Sequence, residues 1–382
     1  MESIQNAILR GHPADRILMF LFLLLFLYHV FYLLVFTLRV VLHKNPPAGV
    51  PVPFSLILTF RNEEEKLWKN LSSLLKGPHV EYEVVAVDNC SQDGSLSVLT
   101  ALKNEYPHLL ISSLNQHILH SDKMAQNIAL KAAHYEWVNV IPPSVNISDS
   151  DWLQEVSSRF NSGNQTVVNY SNINPACSFI NLLYRVEFFF QQMKSFGFII
   201  NGYPFVLSQE NVAFKKQQYF QEGGFRGIIS VPFANLELVI NSFIRKTPVS
   251  LVLSSETAIR RSEEITWKDY LELLKKEVNI KKHLSFNIRS LLIFYEWAFL
   301  LLAPVGILLI IRMPSILPLV ASLTICLIIG NLLIIKKLLT RLKEYKLFLP
   351  SFLLALLLPF FKILFRLWYF RYGLKKEWKI GN

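Results

Sequence analysis

The chain has 382 residues, of which 52% are hydrophobic and 18% are charged, and its formal net charge at pH 7 is +11. An average soluble protein has about 25% charged residues, so this composition argues against a fully soluble protein and excludes a disordered or collagen-like one. The positive charge suits anionic lipids, nucleotide phosphates or nucleic acid. Three scattered cysteines are too few for a disulfide framework or a zinc cluster, and they indicate structural thiols.

The first hydrophobic segment, 17–38, carries no formal charge. A helix of this length crosses a hydrocarbon core of about 30 Å. Arg39 and Lys44 follow it, where a signal peptide would have a small-residue cleavage site. The N-terminal region therefore divides into a tail, a retained transmembrane anchor and a stiff proline-rich linker, at 1–16, 17–44 and 45–53.

Strands alternate with helices in the next part of the chain. Short apolar runs predict strands, and amphipathic runs predict helices between them. The predicted strands are 54–60, 82–88, 109–114 and 137–141, and the predicted helices are 65–76, one that starts at 95, and 123–134. This alternation indicates βαβ units and a parallel sheet. Ligands bind at the carboxyl ends of such strands, where Asn62, Glu64 and Asp88 lie, although the same residue types also cap helices.

Two further apolar stretches, 291–311 and 316–335, predict a transmembrane hairpin over 290–335. Glu296 lies in the first stretch. A carboxylate is costly in lipid, so we expect it to face another helix or a water-filled crevice, or to snorkel to the interface. The positive-inside rule places the basic loop that follows, 336–346, in the cytoplasm. The α/β domain is then cytoplasmic too.

The last region, 347–382, starts with 15 apolar residues and ends in a basic tail. Fifteen residues are short for a crossing, so the region is either a tilted fourth span or a re-entrant, interfacial segment. Residues 266–289 predict an amphipathic helix at the membrane interface. The Phe-rich stretch 179–193 is either another surface-seeking segment or a buried core helix.

Several strings in the sequence resemble those of membrane-bound family 2 glycosyltransferases, which have the GT-A fold. In chain order they are Phe60-Arg61-Asn62-Glu63-Glu64, then 87–95, 122–130, 211–216, 223–225 and 267–270. The resemblance covers about residues 50 to 370. It implies an α/β fold, with a GT-A-like (Rossmannoid), mixed and mostly parallel sheet domain over 54–265 and transmembrane α-helices on either side.

The resemblance also implies a nucleotide site and an acceptor side. The residues at the matching nucleotide-binding positions are Asn62, Glu64, Asp88, Asp93 and Lys123, with the lysine near the phosphates. Asn211 and Lys276 match positions that lie on the acceptor side or gate the site.

The metal site that the family carries is altered in this sequence. Pro143, Ser144 and Val145 stand where the family has its D-x-D carboxylates. None of these side chains binds Mg²⁺ or Mn²⁺ as a carboxylate does, so we predict no metal cofactor unless a site for Mg²⁺ or Mn²⁺ is rebuilt elsewhere. A literal D-x-D string at 149–151 comes six residues later, and we expect it to cap the helix that follows.

The general base and the gating motif are altered as well. Asn235 occupies the base position, and an amide does not accept a proton at neutral pH. Glu237 is a candidate substitute, although on a helix it points about 200° away from Asn235. The family's Q-x-x-R-W motif corresponds to 273–277, where Lys276 keeps a charge without the bidentate fork of arginine.

Two functions remain open at this stage. One is a membrane-embedded glycosyltransferase that moves a sugar from a nucleotide sugar to a lipid-linked or polysaccharide acceptor at the cytoplasmic leaflet. The other is an inactive pseudo-glycosyltransferase that serves as a nucleotide-binding or scaffold subunit of a membrane glycan-synthesis complex. Three altered catalytic elements favour the second, since each alone lowers a rate by roughly 10² to 10³.

Either function implies a multi-pass protein of a bacterial inner membrane. The expected partners are membrane lipids, a nucleotide sugar and other membrane glycan-synthesis proteins. Nucleic acid is not expected, because the basic residues cluster beside membrane segments and not on one soluble face. A transporter is disfavoured because the sequence has no visible internal repeat.

Overall fold

The computed structural model describes residues 12–77, 81–116, 119–145, 147, 151–160 and 163–373. These residues form one α/β domain and a set of long apolar helices. The strands of the domain are β1 (Phe54–Phe60), β2 (Tyr82–Asp88), β3 (Leu109–Ser113), β4 (Trp137–Val140), β5 (Thr166–Asn169), β6 (Ser171–Ile173), β7 (Val212–Lys215), β8 (Val249–Val252) and β9 (Ile259–Arg261).

Seven strands make one mixed sheet in the order β3-β2-β1-β4-β7-β5-β8. Strand β7 runs antiparallel to both of its neighbours, and the other pairs are parallel. In the register of β1 and β2, Phe54 lies opposite Tyr82 and Phe60 opposite Asp88, so both carboxyl ends reach the same edge. The sheet is mostly parallel, which confirms the predicted fold class.

One helix precedes these strands, several alternate with them, and the rest follow them. In chain order they are α1 (Pro13–Leu42), α2 (64–75), α3 (Ser95–Glu105), α4 (Ser121–Ala132), α5 (Asp151–Ser157), α6 (Phe179–Ile200), α7 (Lys216–Gln221), α8 (Leu236–Phe243), α9 (Trp267–His283), α10 (Phe286–Arg312), α11 (Pro314–Arg341) and α12 (Tyr345–Arg371). Helix α1 contains a π-helical turn at Leu33–Leu38. Thr266 and Asp269 form a capping box that starts α9.

Helices cover both faces of the sheet, which is why β1 and β2 are buried almost throughout. Leu71 of α2 and Leu99 of α3 pack on one face. Ala129 of α4 and Phe189 of α6 pack on the other. The Phe-rich helix α6 is therefore a buried core helix and not a surface-seeking segment.

Four helices, α1, α10, α11 and α12, are long and apolar enough to cross a membrane. All four extend beyond the apolar stretches that the sequence predicts, and α11 and α12 extend furthest at a single end. Helix α11 continues through Lys336 to Arg341, because the Arg341 guanidinium donates to the carbonyl oxygens of Leu253 (2.9 Å) and His43 (2.8 Å) and so anchors the last turn on the domain. Helix α12 runs on past its apolar stretch to Arg371.

The continuation of α12 depends on a buried group of charges where α6, α9, α10 and α12 meet. We call this group the ion cluster, and its members are Glu187, Glu277, Glu296, Lys194, Lys281, Lys362 and Arg366. Lys362 lies 2.6 Å from both Glu187 and Glu277. Glu296 pairs with Lys281 at 2.7 Å and with Arg366 at 2.5 Å. Glu296, the carboxylate expected to face another helix, therefore faces two helices, α9 and α12.

Candidate functional site

The loops that follow β1 and β2 hold each other through reciprocal hydrogen bonds. Glu64 Oε2 accepts from the backbone N–H of Gly94 (2.9 Å), and Asp93 Oδ2 accepts from the backbone N–H of Glu64 (3.2 Å). Asn62 Oδ1 accepts from the backbone N–H of Gln92 (2.8 Å). A Cβ at Gly94 would lie 2.5 Å from Glu64 Oε1, so a larger residue there would displace the Glu64 carboxylate from its hydrogen bond. We call this pair of loops the clasp.

Asp88, the last residue of β2, also stabilises the clasp through Ser91. Its carboxylate accepts from the backbone N–H of Ser91 (3.1 Å), and Ser91 Oγ accepts from the backbone N–H of Asn62 (2.9 Å). Asn62 itself has φ +54°, in the left-handed region that asparagine tolerates. The structure thus brings four predicted nucleotide-binding residues together, namely Asn62, Glu64, Asp88 and Asp93. Their side-chain oxygens accept hydrogen bonds from backbone N–H groups of the two loops.

Asp93 remains solvent-exposed and ionised in the clasp. Its slight burial opposes ionisation, but hydrogen bonds from Ser95 and from the backbone of Glu64 outweigh this and lower the pKa of Asp93. The clasp therefore presents negative charge to solvent, which favours hydroxyl or amino groups over phosphates as contacts.

Lys123 on α4 is buried, with 3% of its surface exposed. Its ammonium donates to the carbonyl oxygens of Ile228 (3.1 Å), Ile229 (2.7 Å) and Val231 (2.6 Å). Burial lowers the pKa of Lys123 to about 8, opposed by Glu237. An ammonium has three N–H donors, so in this conformation Lys123 holds the loop after α7 and has no donor left for a phosphate.

The segment after β4 holds Ser144 at the expected metal position. Ser144 is 1% exposed, and its Oγ donates to Glu263 Oε2 at 3.2 Å. Val145 pairs with Arg261 through a backbone bridge, and the backbone N–H of Ser262 donates to the Ser144 carbonyl oxygen. Both Ser144 and Val145 are thus hydrogen-bonded to the end of β9 or to the two residues that follow it.

Arg261 places a guanidinium beside this segment. It lies 2.6 Å from Glu263 and 3.3 Å from Glu210, and it donates to the Tyr184 hydroxyl at 2.9 Å. Burial opposes its ionisation, but the charges of Glu210 and then Tyr184 and Glu263 outweigh this and raise the pKa of Arg261. We call Arg261, Glu210 and Glu263 the Arg261 group.

The residues at the end of β4 do not fit a divalent cation. Mg²⁺ and Mn²⁺ prefer carboxylate oxygens, whereas Ser144 offers a hydroxyl and the carboxylates of Glu210 and Glu263 are both already paired with the Arg261 guanidinium. Within the described ranges, no group of three His, Cys, Asp or Glu side chains is arranged to hold a metal ion. Asp151 begins α5, and the two residues before it lie outside the described residues.

Glu237 and Asn235 meet at the start of α8. Glu237 is fully buried; its Oε1 accepts from the backbone N–H of Asn235 (2.9 Å) and lies 3.0 Å from the Lys276 ammonium. Asn235 is the N-cap residue of the helix. Lys276, expected on the acceptor side or as a gating residue, lies here as the partner of a buried carboxylate.

Asn211 also serves the backbone. It has φ +57° and is fully buried, and its amide donates to the carbonyl oxygens of Tyr170 (2.9 Å) and Thr257 (2.8 Å). Asn211 thereby ties the start of β7 to the loops before β6 and β9. Its backbone N–H donates to Val140, which places it at the same sheet edge as the end of β4.

Sequence reasoning missed the Arg261 group and Tyr184. The partners are far apart in the chain, and no local pattern marks any of them as part of the site. A surface groove of about 680 Å³ lies at the opposite edge of the sheet, where Glu136 and Lys216 line it.

Comparison with known proteins identifies the domain. Residues 55–194 match the sequence model of glycosyl transferase family 2. No curated protein matches the sequence. Among solved structures, a mannosyltransferase from Pyrobaculum calidifontis in complex with GDP-Man and Mn²⁺ is 18% identical, with a TM-score of 0.52 over 89% of this chain and 99% of that one.

A second similar structure is TarS 1–349 of S. aureus in complex with UDP. It is 18% identical, with a TM-score of 0.42, and the match covers 61% of this chain and 65% of that one. The family match and the shared fold agree with the order of strings in the sequence. The match assigns residues 55–194 to glycosyl transferase family 2, and the α/β domain that contains them has the GT-A fold.

Proposed function

We propose that this protein is a membrane-embedded pseudo-glycosyltransferase. In this proposal it does not catalyse metal-dependent sugar transfer, and it serves as a nucleotide-binding or scaffold subunit of a membrane glycan-synthesis complex. The observation that carries the proposal is the Arg261 group beside Ser144. Glu210 and Glu263 both pair with the single guanidinium of Arg261, so among the residues that the structure describes the carboxylates beside Ser144 are already engaged by a cation and do not form a site for Mg²⁺ or Mn²⁺.

Neutralisation of a leaving diphosphate is the second requirement that this site fails. Sugar transfer from a nucleotide develops charge on the diphosphate, and enzymes stabilise it with free cations or metal ions. Three cations that the site holds at least partly buried are Arg261, Lys276 and Lys123. The first two are paired with glutamates, and the third is bound to backbone carbonyls.

Deprotonation of an acceptor hydroxyl is the third requirement. Glu237 is the carboxylate nearest the base position, but it is 0% exposed and its Oε1 is held by Lys276. An acceptor oxygen has to come within about 3 Å of a general base. Such an approach would require α8 and α9 to separate.

Retention of a nucleotide is supported by the clasp. Its loops lie at the carboxyl ends of β1 and β2, the edge at which open α/β sheets bind ligands, and the mannosyltransferase that shares the fold was solved with GDP-Man. By that analogy the ligand is a nucleotide or nucleotide sugar. Because Asn62, Glu64 and Asp93 already accept hydrogen bonds within the protein, we expect weak binding.

The location that we propose is a bacterial inner membrane, with the domain in the cytoplasm. Five basic residues crowd the domain end of α11, and the positive-inside rule assigns such an end to the cytoplasm. They are Lys336, Lys337, Arg341, Lys343 and Lys346. Membrane lipids are direct partners there, and enzymes of glycan synthesis are the proposed protein partners.

Calorimetry of the full chain in nanodiscs tests the proposal. UDP and GDP are titrated separately in Mn²⁺ and in EDTA, and the two dissociation constants are expected to agree within about threefold. The Glu64→Gln variant is expected to weaken binding by roughly tenfold, since it removes a charged acceptor from the clasp. Glu136→Gln is the matched control; this residue pairs with Lys215 at the opposite edge, and its loss leaves affinity unchanged.

Two results would contradict the proposal. A gain of about tenfold or more in affinity with Mn²⁺ means that carboxylates do converge on a cation. Release of UDP or GDP from nucleotide sugars, together with labelling of membrane lipids or polysaccharide, means that the protein is an active transferase. In that case the other function open from the sequence is the correct one.

A further inference from the structure

Helix α12 packs against the α/β domain along its whole length. The buried residues of α12 recur every three or four positions, as on one face of a helix. They are Leu347, Ser351, Leu354 (partly buried), Leu358, Lys362, Phe365 and Tyr369. From the first to the last, this stripe is about 33 Å long at 1.5 Å per residue. Its apolar members belong to the same core cluster as Val138 of β4 and Phe189 of α6.

The other three apolar helices behave differently. One end of each packs on the domain, as Val40 does in α1 and Leu338 in α11. Their opposite ends pack only on one another, in a separate apolar cluster. Its fully buried members are Phe22, Leu25, Ala298, Val305, Leu309, Met313, Ile316 and Val320. Of the residues that the structure describes, none from α12 takes part in this cluster.

Both ends of α12 are bound to the domain. Glu344, just before the helix, pairs with Arg185 of α6 (2.7 Å) and Arg260 of β9 (3.1 Å). Near the other end, the side-chain amide of Asn279 in α9 donates to the Tyr369 hydroxyl (3.2 Å). A helix that crosses a bilayer separates its ends by about 30 Å along the membrane normal, so both ends could not contact one domain on one side.

The opposite face of α12 is exposed and apolar. Its exposed residues are Leu349, Leu353, Leu356, Leu357, Phe360, Leu364, Leu367 and Trp368. No charged side chain interrupts this face, because Lys362 and Arg366 turn inward to the ion cluster. An amphipathic helix with such a face lies in the plane of a membrane interface.

We propose that α12 does not cross the membrane. It lies flat between the domain and the bilayer, with its exposed face covered by the acyl chains of the leaflet that faces the domain. Helices α1, α10 and α11 make the three crossings, and Arg371 lies on the same side of the membrane as the domain. The ion cluster fixes α12 in this position, whatever the catalytic state of the domain.

Cysteine labelling in sealed vesicles tests this topology. The three native cysteines, Cys90, Cys177 and Cys326, are first replaced by serine. Single cysteines are then placed at Lys268 on the domain, at Ser315 in the first turn of α11, beside its connection to α10, and at Arg371. A membrane-impermeant maleimide added outside is expected to label K268C and R371C in vesicles of one orientation, and S315C only in the other. Labelling of R371C together with S315C would overturn the proposal.

Spin labels measure the depth of the helix directly. Nitroxides are attached at Leu349, Leu357 and Leu367, and their exposure to oxygen is compared with their exposure to a water-soluble nickel complex. A flat helix gives depths that agree within a few ångströms, whereas a crossing helix gives a spread of about 27 Å between the first and the last. If the cysteine-free protein does not fold, a reporter enzyme appended after Asn382 of the native chain gives the same decision: activity on the domain's side supports the proposal, and activity on the other side refutes it.

Discussion

Glu277 is the residue through which the ion cluster is tested most sharply. It is 1% exposed, and its carboxylate lies 2.5 Å from Lys281, 2.6 Å from Lys362 and 3.8 Å from Lys194. The substitution Glu277→Gln keeps the shape of the side chain and removes its charge. Two carboxylates then face four cations in the cluster, whereas in the native protein three carboxylates face the same four cations.

The expected loss of stability follows from burial. Removing one partner of a buried ion pair costs about 3–5 kcal/mol, because the remaining charge stays out of water without compensation. The exposed pair on the same helix gives the contrast. Glu272 is 42% exposed and 4.0 Å from Lys268, and an exposed pair of this kind contributes about 0–1 kcal/mol.

The assay is unfolding of the full chain in detergent, followed by tryptophan fluorescence. We expect Glu277→Gln to lower the free energy of unfolding by about 3–5 kcal/mol, and Glu272→Gln to change it by at most ~0.5 kcal/mol. The double variant Glu277→Gln/Lys362→Met is expected to lose less than the sum of its single changes, because it restores the charge balance. If Glu277→Gln is as stable as Glu272→Gln, the cluster does not hold α12 on the domain.

Three further outcomes are expected. On acidification, the native protein is expected to lose more stability than the Glu277→Gln variant. Three ammonium groups overcome burial and hold the pKa of Glu277 well below 4.5, so the stabilisation by this carboxylate is present above pH 4.5 and disappears as the pH falls through the lower pKa of the folded state. Equal acid sensitivity of the two proteins would refute this expectation. Asn235→Asp alone yields no sugar transfer, because the metal position is separately altered, and measurable turnover in that variant contradicts the reading of the site. Gly197→Ala destabilises the protein by about 1–3 kcal/mol, since a Cβ there overlaps the Phe36 carbonyl oxygen where α6 crosses α1; an unchanged melting temperature would exclude this close contact.

Strands β1 and β2 were predictable to the residue. Each is a mainly apolar run followed by polar turn residues, interrupted only by Ser55 and Thr59 in β1 and by Glu83 in β2, and such runs are typical of a strand buried on both faces. The family also followed from sequence, because its motifs are local strings whose order survives. The departures at Ser144 and Asn235 are likewise visible as letters, since each concerns the chemistry of a single side chain.

The partners of those side chains were not predictable. Arg261 lies far along the chain from Ser144 and reaches it only because β9 pairs with the segment after β4. Lys123 was expected near phosphates, whereas in the structure its ammonium donates all three hydrogen bonds to the loop that contains Ile229. Long-range pairing of this kind has no local periodicity, so residue type alone does not distinguish a ligand-binding group from a structural one.

Helix α12 marks the same division. Its composition determined that the segment is apolar and helical, and local hydropathy left a fourth span and an interfacial segment equally open. Which face turns inward depends on Glu187 and Glu277, which belong to other helices and are brought to Lys362 only by the fold. Hydropathy is a sum over neighbouring residues, whereas the free energy of a buried charge depends on where its partner lies in space, and that is why only the tertiary structure shows which face of α12 turns inward.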